Sequence, residues 1–444
     1  MADRAADTPA RAPRRDRRGS GGAPGAATIS PRATGPAPVT PAAWHWEARA
    51  TTIAAIEAAL ARFWATAAQE AESDGVNPRE TAEARGDPRL AGHLEDGGDV
   101  RVRTRTSVLT LVVVAARPET ASRALATMQV LEERHPSRMV ILAPGDPDGP
   151  SALDARISLT CHPRRGSVSE TCAERIVLHT GGELAQHLAG VATPLLIHDL
   201  PVVVWWPDDP PIGSRLFREL VETSDEVLLD SGAFRDDGTR RLTALAALVA
   251  DERVAARDIG WMRLTLWREL LAGLFDHPLL APELPSVKAV RIDVAQPGKV
   301  LRVSKPLLFA GWLAGMLGWG PGDPLTAKEQ AGSLVGSWTH ERRHVRLELR
   351  PVHALDALSL RSSGSLVRVE LELGTARHPI RARVVRQPDH LLATADWNGA
   401  EVIRRAGRLE PFDEAPYVAE ALDEVGHDRI FEQAVLGAAR LLAG

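Results

Sequence analysis

The sequence predicts an α/β domain with a mostly parallel, doubly wound sheet, followed by an α+β domain with an antiparallel sheet. In the first part, apolar runs such as Val108–Ala116 and Val202–Trp206 alternate with helical segments, which is typical of strands buried on both faces. In the second part, apolar and charged residues alternate strictly, as in Val290–Val294. Such alternation indicates strands with one face on a core and the other in water.

Composition divides the chain of 444 residues into three segments. Residues 1–42 consist mainly of Ala, Arg, Pro, Gly and Ser. Because they lack large apolar side chains, we expect a disordered tail there. A cluster of prolines that ends at Pro285 marks a second boundary. We therefore expect the α/β domain over residues 43–284 and the α+β domain over residues 285–444.

Hydrophobic periodicity predicts the elements of the α/β domain. In order, they are a helix from about Ala48 to Ala71, strand Val108–Ala116, helix Pro118–Arg134, strands Met139–Ala143, Ile157–Cys161 and Arg175–Leu178, a helix that begins at Gly181, strand Val202–Trp206, helix Arg215–Glu222, strand Glu226–Asp230, and helices Arg240–Ala250 and Trp261–Phe275. The first strand–helix–strand segment forms a βαβ unit, for which a right-handed crossover is expected.

In the α+β domain, the strands around Val290, Val345 and Val367 each alternate apolar and charged residues. Two later apolar segments, Pro306–Leu317 and His427–Leu442, are predicted helices. We expect both to cover the dry face of the antiparallel sheet.

The strand Val202–Trp206 organises the prediction for the core. Pro201 presets φ before it, and three consecutive valines favour an extended chain. Because neighbouring side chains on a strand point to opposite faces, Trp205 and Trp206 should enter different layers. Pro201, Trp205 and Trp267 are the predicted structural core residues.

Composition excludes several classes of function. A net charge of −5 gives no overall attraction to nucleic acid or to membranes, and the apolar runs are too short to span a bilayer. Phosphate-loop, dinucleotide and metal-binding motifs are missing from the sequence, so we expect no cofactor, no metal and no catalytic residues. With only two cysteines, the chain fits a reducing cytoplasm.

Cys161 and Cys172 are the candidate redox residues. The loop between them is short enough to close at an ordinary entropic cost, so a disulfide is feasible. A reduced pair is the favoured interpretation, because the composition indicates a reducing compartment.

The densest positive charge surrounds Arg342, Arg343 and Arg346. Alternate residues here lie on one face of a predicted strand, where they could bind a sugar phosphate or an acidic partner. A solvated strand face, compensated by neighbouring glutamates, is the simpler alternative.

Several blocks resemble the OpcA family, the assembly or activator proteins of glucose-6-phosphate dehydrogenase. The segment from His198 to Pro211 resembles the family signature Asp-Leu-Pro-Val-x-x-Trp-Trp-x-x-x-Pro-Pro, although Asp208-Asp209 replaces a glycine-containing turn. Further similar blocks, in the family's order, are His135–Leu142, Ala173–Leu178, Trp261–Asp276 and Leu308–Trp319.

The resemblance implies a non-catalytic cytoplasmic subunit that binds and activates, or helps assemble, glucose-6-phosphate dehydrogenase in the oxidative pentose phosphate pathway. An α/β enzyme or sensor for a sugar phosphate or nucleotide is the alternative. Loops at the carboxyl ends of strands present ligands in open α/β sheets, so Asp208 and Asp209 are expected to be exposed there. The candidate residues for the partner interface are Asp199, Trp206, Asp208, Asp209, Arg342, Arg343 and Arg346.

Overall fold

The computed structural model describes residues 44–73, 102–104, 107–132, 134–163, 169–328, 332–353, 364–409 and 413–443. The predicted tail over residues 1–42 and the polar linker predicted between Gly75 and Gly98 lie outside these ranges. Among the described residues, no helix has both the length and the apolar character needed to cross a bilayer.

Nine strands form the first sheet, in the order β1-β5-β6-β4-β3-β7-β8-β9 with β2 beside β6. Their bounds are β1 Trp44–Ala50, β2 Val102–Thr104, β3 Leu109–Val114, β4 Ser137–Pro144, β5 Ala152–Pro163, β6 Ser169–Gly181, β7 Val202–Trp206, β8 Glu226–Leu229 and β9 Ala255–Asp258. Strand β5 is antiparallel to β1 and β6, whereas the other pairs are parallel. The predicted, mostly parallel α/β sheet is confirmed.

The helices are α1 Ile53–Ser73, α2 Pro118–Leu131, α3 Glu183–Gln186, α4 Leu188–Ala192, α5 Arg215–Val221, α6 Thr239–Ala250, α7 Ile259–Met262, α8 Thr265–Leu274, α9 Ser304–Met316, α10 Ala415–Asp423 and α11 Arg429–Leu442. Short 3₁₀ turns cover Thr193–Leu195, Ser231–Ala233 and Ala281–Ser286. The helix predicted over Trp261–Phe275 is interrupted after Met262, so α7 and α8 are separate.

The start of the first predicted helix is wrong. Residues Trp44–Ala50 form β1, which pairs antiparallel with β5 from Ala50↔Ala155 to Trp44↔Cys161, and α1 begins only at Ile53. Helix propensity is a weak preference, and pairing with a strand that is distant in sequence overrides it here. The hairpin β5–β6 is also longer than predicted, because its pairing continues from Ala152↔Gly181 to Pro163↔Glu170.

The second sheet also has nine strands, in the order β11-β13-β14-β10-β15-β16-β17-β18 with β12 beside β13. Their bounds are β10 Ala289–Ala295, β11 Gly320–Pro321, β12 Thr326–Ala327, β13 Leu334–His340, β14 Arg343–Val352, β15 Leu366–Gly374, β16 Pro379–Arg386, β17 His390–Trp397 and β18 Ala400–Arg408. Among the described strands of this sheet, only β10 and β14 pair in parallel, so the predicted antiparallel character is confirmed. The domain boundary after residue 284 stays a prediction.

Strand β7 is an interior strand of the first sheet and lies between β3 and β8. The side chain of Trp205 is fully buried in one hydrophobic layer, and Trp206 is buried in the other. The prediction that the two rings enter different layers is confirmed. The indole Nε1 of Trp205 has no hydrogen-bond partner among the described residues, so this ring contributes through packing alone.

The layer around Trp205 is covered by two helices that are distant in sequence, α2 and α10. Apolar side chains of both helices belong to this layer, including Met128 from α2 and Val418 from α10. Helix α10 also contacts α2 and α7 directly. The C-terminal part of the chain therefore returns to complete the core of the first sheet.

Helices α9 and α11 cross closely, and two glycines permit this contact. A Cβ on Gly311 would lie 2.1 Å from the backbone oxygen of Ala434, and a Cβ on Gly437 would lie 2.5 Å from the backbone oxygen of Gly311. Real Cβ atoms do not approach backbone atoms this closely. Because α11 also contacts α6, this crossing connects the helices of the two sheets.

Candidate functional site

The carboxyl edge of the first sheet is the candidate site, because open α/β sheets bind their ligands there, at the point where the strand order reverses. The chain runs from β3 to β4 on one side and later returns to β7 on the other side of β3. The reversal therefore lies between β3 and β7. Arg117 follows β3, Asp208 follows β7, and helix α2 begins beside both.

The carboxylate of Asp208 occupies this crevice. It accepts hydrogen bonds from Arg117 Nη2 at 2.7 Å and from the hydroxyl of Thr120, in the first turn of α2. Arg123 lies 3.4 Å from the same carboxylate. Burial by itself would raise the pKa of Asp208, but the hydrogen bonds from Thr120 and Arg117 outweigh it, so the pKa is lowered. A helix N-terminus favours negative charge, and here the chain supplies that charge itself.

The network extends from this crevice to helix α10. Arg123 donates to Glu414 at 3.1 Å, and the hydroxyl of Thr127 donates to the same carboxylate at 3.0 Å. Glu414 immediately precedes α10. The loop after β7, helix α2 and the start of α10 are therefore held by one set of polar contacts.

The side chain of Asp209 is more buried than that of Asp208. Its side chain is 7% exposed and accepts two hydrogen bonds from Arg241, each of 3.0 Å. The expectation that Asp208 and Asp209 are exposed is therefore wrong. Both carboxylates pair with arginines on segments that are distant in sequence. The residues of the loop after β7 do not indicate these partners.

Replacing Asp209 should therefore be costly. We expect Asp209→Ser to lower the free energy of unfolding by about 1–2 kcal/mol, because Arg241 loses a bidentate carboxylate while remaining partly hydrated. Asp148→Ser is the matched control, since that side chain is exposed, and its effect should stay within about 0.5 kcal/mol. Urea denaturation measures both, and equal midpoints for the two variants would contradict the structural role of Asp209.

A second group of polar side chains lies at the ends of β8 and β9. Asp258 is 1% exposed and accepts hydrogen bonds from Ser231 N and Oγ, both at 2.6 Å, and from the first backbone N–H groups of α7. Burial and the neighbouring Asp230 raise the pKa of Asp258 to about 6. Asp230 in turn pairs with Arg263 at 2.6 Å. These contacts satisfy the carboxylates and close this part of the edge.

Lys305, at the start of α9, is buried near the same group. Its Nζ has one hydrogen bond among the described residues, 3.4 Å to Ser365 Oγ, and burial lowers its pKa to about 8. Asp258 and Lys305 were not singled out from the sequence. The position of Asp230 and Asp258 directly after strands was a usable signal, whereas nothing local marks Lys305.

At the opposite edge, Glu226 begins β8 and is fully buried. One of its oxygens accepts from Gly426 N at 2.8 Å, and Arg257 Nε lies 3.4 Å away. Burial raises its pKa from 4.5 to about 7. Between these pH values the folded protein binds this proton more tightly than the unfolded chain, so the free energy of unfolding falls as pH rises.

The raised pKa of Glu226 therefore predicts a pH dependence of the free energy of unfolding that can be measured. Relative to Glu226→Gln, the wild-type free energy of unfolding should fall by about 2–3 kcal/mol as pH rises through that window. Glutamine can still accept from Gly426 N but does not titrate. Guanidinium denaturation at several pH values measures the difference, and parallel curves for the two proteins would contradict it.

The basic cluster lies on the hairpin β13–β14. Arg342 is exposed in its turn, and Arg343 and Arg346 are exposed on β14. Val345, Leu347 and the alternate residues that follow them are buried. The hairpin is distant in sequence from the crevice at Asp208, and its arginines are not part of that network.

The remaining candidates differ in accessibility. Asp199 is exposed in a turn at the amino end of β7 and has a positive φ of 66°. Trp206 is only 5% exposed, so it cannot form a surface contact with a partner as predicted. Trp205 and Trp267 are buried as predicted for core residues. Pro201 is exposed instead, and its carbonyl accepts from Thr110 N at 2.9 Å.

Cys161 and Cys172 face each other across β5 and β6 and are joined in a disulfide. Both are buried. The favoured expectation of a reduced pair differs from this structure, because the hairpin register brings the two residues directly opposite. Their spacing in the sequence made the bond feasible but could not reveal that pairing. No group of three or more metal-binding side chains occurs in the described part of the chain.

Two family models match the chain, and the matched residues include strands of both sheets. The model described as the N-terminal domain of the glucose-6-phosphate dehydrogenase subunit matches residues 128–247. The model for the C-terminal domain of the same subunit matches residues 254–435. The chain belongs to the OpcA family. The resemblance inferred from the blocks around Trp205 and Trp267 is confirmed.

Curated relatives agree with this assignment. A protein of Nostoc punctiforme named for OpcA and the OxPP cycle is 30% identical over 230 residues, which is 50% of this chain and 47% of that protein. A relative of the same name from Synechocystis is 28% identical over 54% of this chain and 49% of its own length. The chain spans about half the length of the curated relatives it matches.

Solved structures are more distant. An NAD-binding oxidoreductase from Klebsiella pneumoniae is 9% identical, with a TM-score of 0.42 over 76% of this chain and 97% of that chain. The dehydrogenase WlbA from Thermus thermophilus is 13% identical, with a TM-score of 0.40 over 76% of this chain. Similarity at this level supports no inference about activity.

Proposed function

We propose that this chain is a non-catalytic subunit that binds glucose-6-phosphate dehydrogenase and assists its assembly or raises its activity in the oxidative pentose phosphate pathway. The observation that carries the proposal is the match of both family models, over residues 128–247 and 254–435. Both are described as domains of a subunit of that dehydrogenase.

The geometry of the carboxyl edge supports the same proposal. An enzyme or sensor with this sheet would bind a nucleotide or sugar phosphate at the crevice between β3 and β7. In this chain, Asp208 fills that position and is bound by Arg117 and Thr120. A phosphate would have to displace a carboxylate that already has its hydrogen bonds, and it would be repelled by that charge.

Activation by such a subunit requires linkage between binding and conformation. If the chain binds the active conformation of the dehydrogenase more tightly than the inactive one, it shifts the population by at most that difference in affinity. A coupling of about 1–3 kcal/mol would change substrate affinity roughly 5- to 150-fold. Substrate would then tighten the binding of this chain by the same factor.

The exposed turn of hairpin β13–β14 is the proposed contact with the dehydrogenase. Arg342 and Arg343 are exposed there, and the side chain of Arg343 is 52% exposed. Arginine forms bidentate contacts with carboxylates, so this turn fits an acidic surface of the partner. Among the other predicted interface residues, Asp208, Asp209 and Trp206 are held within the chain.

Reconstitution tests the function. The chain should co-purify with its cognate dehydrogenase, raise its rate of glucose 6-phosphate oxidation or its yield of assembled enzyme, and show no turnover by itself. Absence of binding together with unchanged kinetics would overturn the proposal. Saturable binding of a nucleotide or sugar phosphate by the isolated chain, with turnover, would support the enzyme alternative instead.

A charge-reversed pair tests the surface. We expect Arg342→Glu with Arg343→Glu to raise the concentration needed for half-maximal activation roughly 10-fold or more at low salt, and less at high salt. Arg49→Glu with Arg62→Glu is the matched control, because both residues are exposed on other elements. An unchanged activation curve for the hairpin variant would remove this turn from the interface without affecting the proposed function.

A further inference from the structure

One side of the second sheet is not covered by any helix of the described residues. Helix α8 contacts β16, β17 and β18, and helix α9 contacts β10. Both pack on the side of buried residues such as Ile292 and Val384. We call the opposite side, formed by the outward side chains of β10 and β14–β18, the open face.

Charges alternate in sign across the strands of the open face. One cross-strand row reads Glu348, Arg291, Glu370, Arg383. In the neighbouring row, Glu372, Arg381 and Asp396 are directly paired in register. Residues opposite each other on adjacent strands attract when their charges differ, so each row is stable within one chain.

The alternation of charge along these rows also indicates which kind of partner surface the open face can bind. A second copy related by a two-fold axis that runs between β10 and β15 places Arg291 opposite Glu370, and Glu348 opposite Arg383. A partner with charge of one sign would meet repulsion at every second strand. The open face therefore complements itself better than a uniformly acidic or basic surface, as an isologous interface requires.

Two further features agree with a contact between copies. Val385 and Leu392 are paired in register and are only half-buried, which gives the open face an apolar patch beside its charges. Homodimer interfaces combine such a patch with a polar rim. The open face spans six strands and about six residues along each, so its area is roughly 500–600 Å², which approaches the ≈ 800 Å² per partner of a standard interface.

We propose that the open face is the contact surface of a homodimer of this chain. The proposal does not depend on the proposed function, since it concerns contact between two copies and not contact with the dehydrogenase.

Light scattering of the full chain tests the proposal. The wild type should be dimeric at micromolar concentration in low salt and should dissociate as salt rises. Arg346, Arg368 and Arg381 are exposed on β14, β15 and β16. Because Arg368 and Arg381 lie opposite acidic residues of neighbouring strands, reversing them also removes attractions within one chain, so the folding of the variant has to be measured separately. The triple variant Arg346→Glu, Arg368→Glu, Arg381→Glu should raise the dimer dissociation constant roughly 100-fold or more.

The matched control reverses three exposed arginines elsewhere, Arg62→Glu, Arg218→Glu and Arg240→Glu, and should remain dimeric. Circular dichroism establishes that each variant is folded. If the triple variant does not fold, the neutral variant Arg346→Gln, Arg368→Gln, Arg381→Gln replaces it and should also weaken the dimer. A monomeric wild type overturns the proposal, and so does a dimer that the folded variant does not weaken. A monomer whose binding to the dehydrogenase is lost in the triple variant would assign the open face to that partner instead.

Discussion

Trp205→Ala should lower the free energy of unfolding by about 3–5 kcal/mol. The ring is fully buried in the layer between the first sheet and helices α2 and α10, so the substitution removes apolar contacts and leaves a cavity. This cost is a large part of the roughly 5–15 kcal/mol that stabilises a typical protein. Guanidinium denaturation measures the change.

Trp205→Phe provides the internal control. Because the indole Nε1 has no hydrogen-bond partner among the described residues, replacing the indole with a phenyl ring loses volume but no hydrogen bond. We expect a cost of about 1 kcal/mol, well below that of alanine. Equal costs for the two variants would contradict the packing role. Loss of dehydrogenase activation in Trp205→Ala would say nothing about the interface, since the whole layer is weakened.

Gly311→Ala is the second substitution with a large expected effect. A Cβ at this position would lie 2.1 Å from Ala434 O on helix α11, and backbone cannot move aside as a flexible side chain can. Helices α9 and α11 would have to separate, which should cost about 3 kcal/mol or more, at the upper end of overpacking effects.

Gly315→Ala, one turn further along α9, is the matched control. Its Cβ would lie 3.5 Å from Gln433 Cβ, an ordinary contact. Because glycine is unfavourable inside a helix, this variant should be unchanged or more stable by up to about 0.5–1 kcal/mol. Thermal and chemical denaturation of both variants measure the difference. Similar stabilities would show that the crossing tolerates a methyl group at Gly311.

The local sequence pattern was sufficient to predict a strand and its burial where a single hydrophobic pattern covered the whole segment. The unbroken apolar run Val202–Trp206, with its valines and flanking prolines, predicted a strand buried on both faces, and the alternation in Val290–Val294 predicted one solvent-exposed face. The family blocks around these segments were equally local. Prediction failed at Ala48–Ala50, which belong to β1 and pair with β5, a strand that is distant in sequence, instead of beginning the predicted helix.

Prediction of the candidate site was limited in the same way, because the site also depends on contacts between segments distant in sequence. The sequence placed Asp208 and Asp209 after a strand, at the edge where ligands bind, but it could not show that Arg117 and Arg241 occupy their carboxylates. Exposure of a charged side chain depends on partners that the fold brings together, and these arginines lie 91 and 32 residues away.

The sequence by itself determined the family, the two kinds of sheet and the separate layers of Trp205 and Trp206, because each follows from contiguous residues and their periodicity. Only the tertiary structure decided that Asp208 fills the crevice between β3 and β7, that α10 returns to the first sheet, and that Gly311 allows two helices to cross. These features depend on close contacts between segments distant in sequence, and periodicity along one segment carries no information about them.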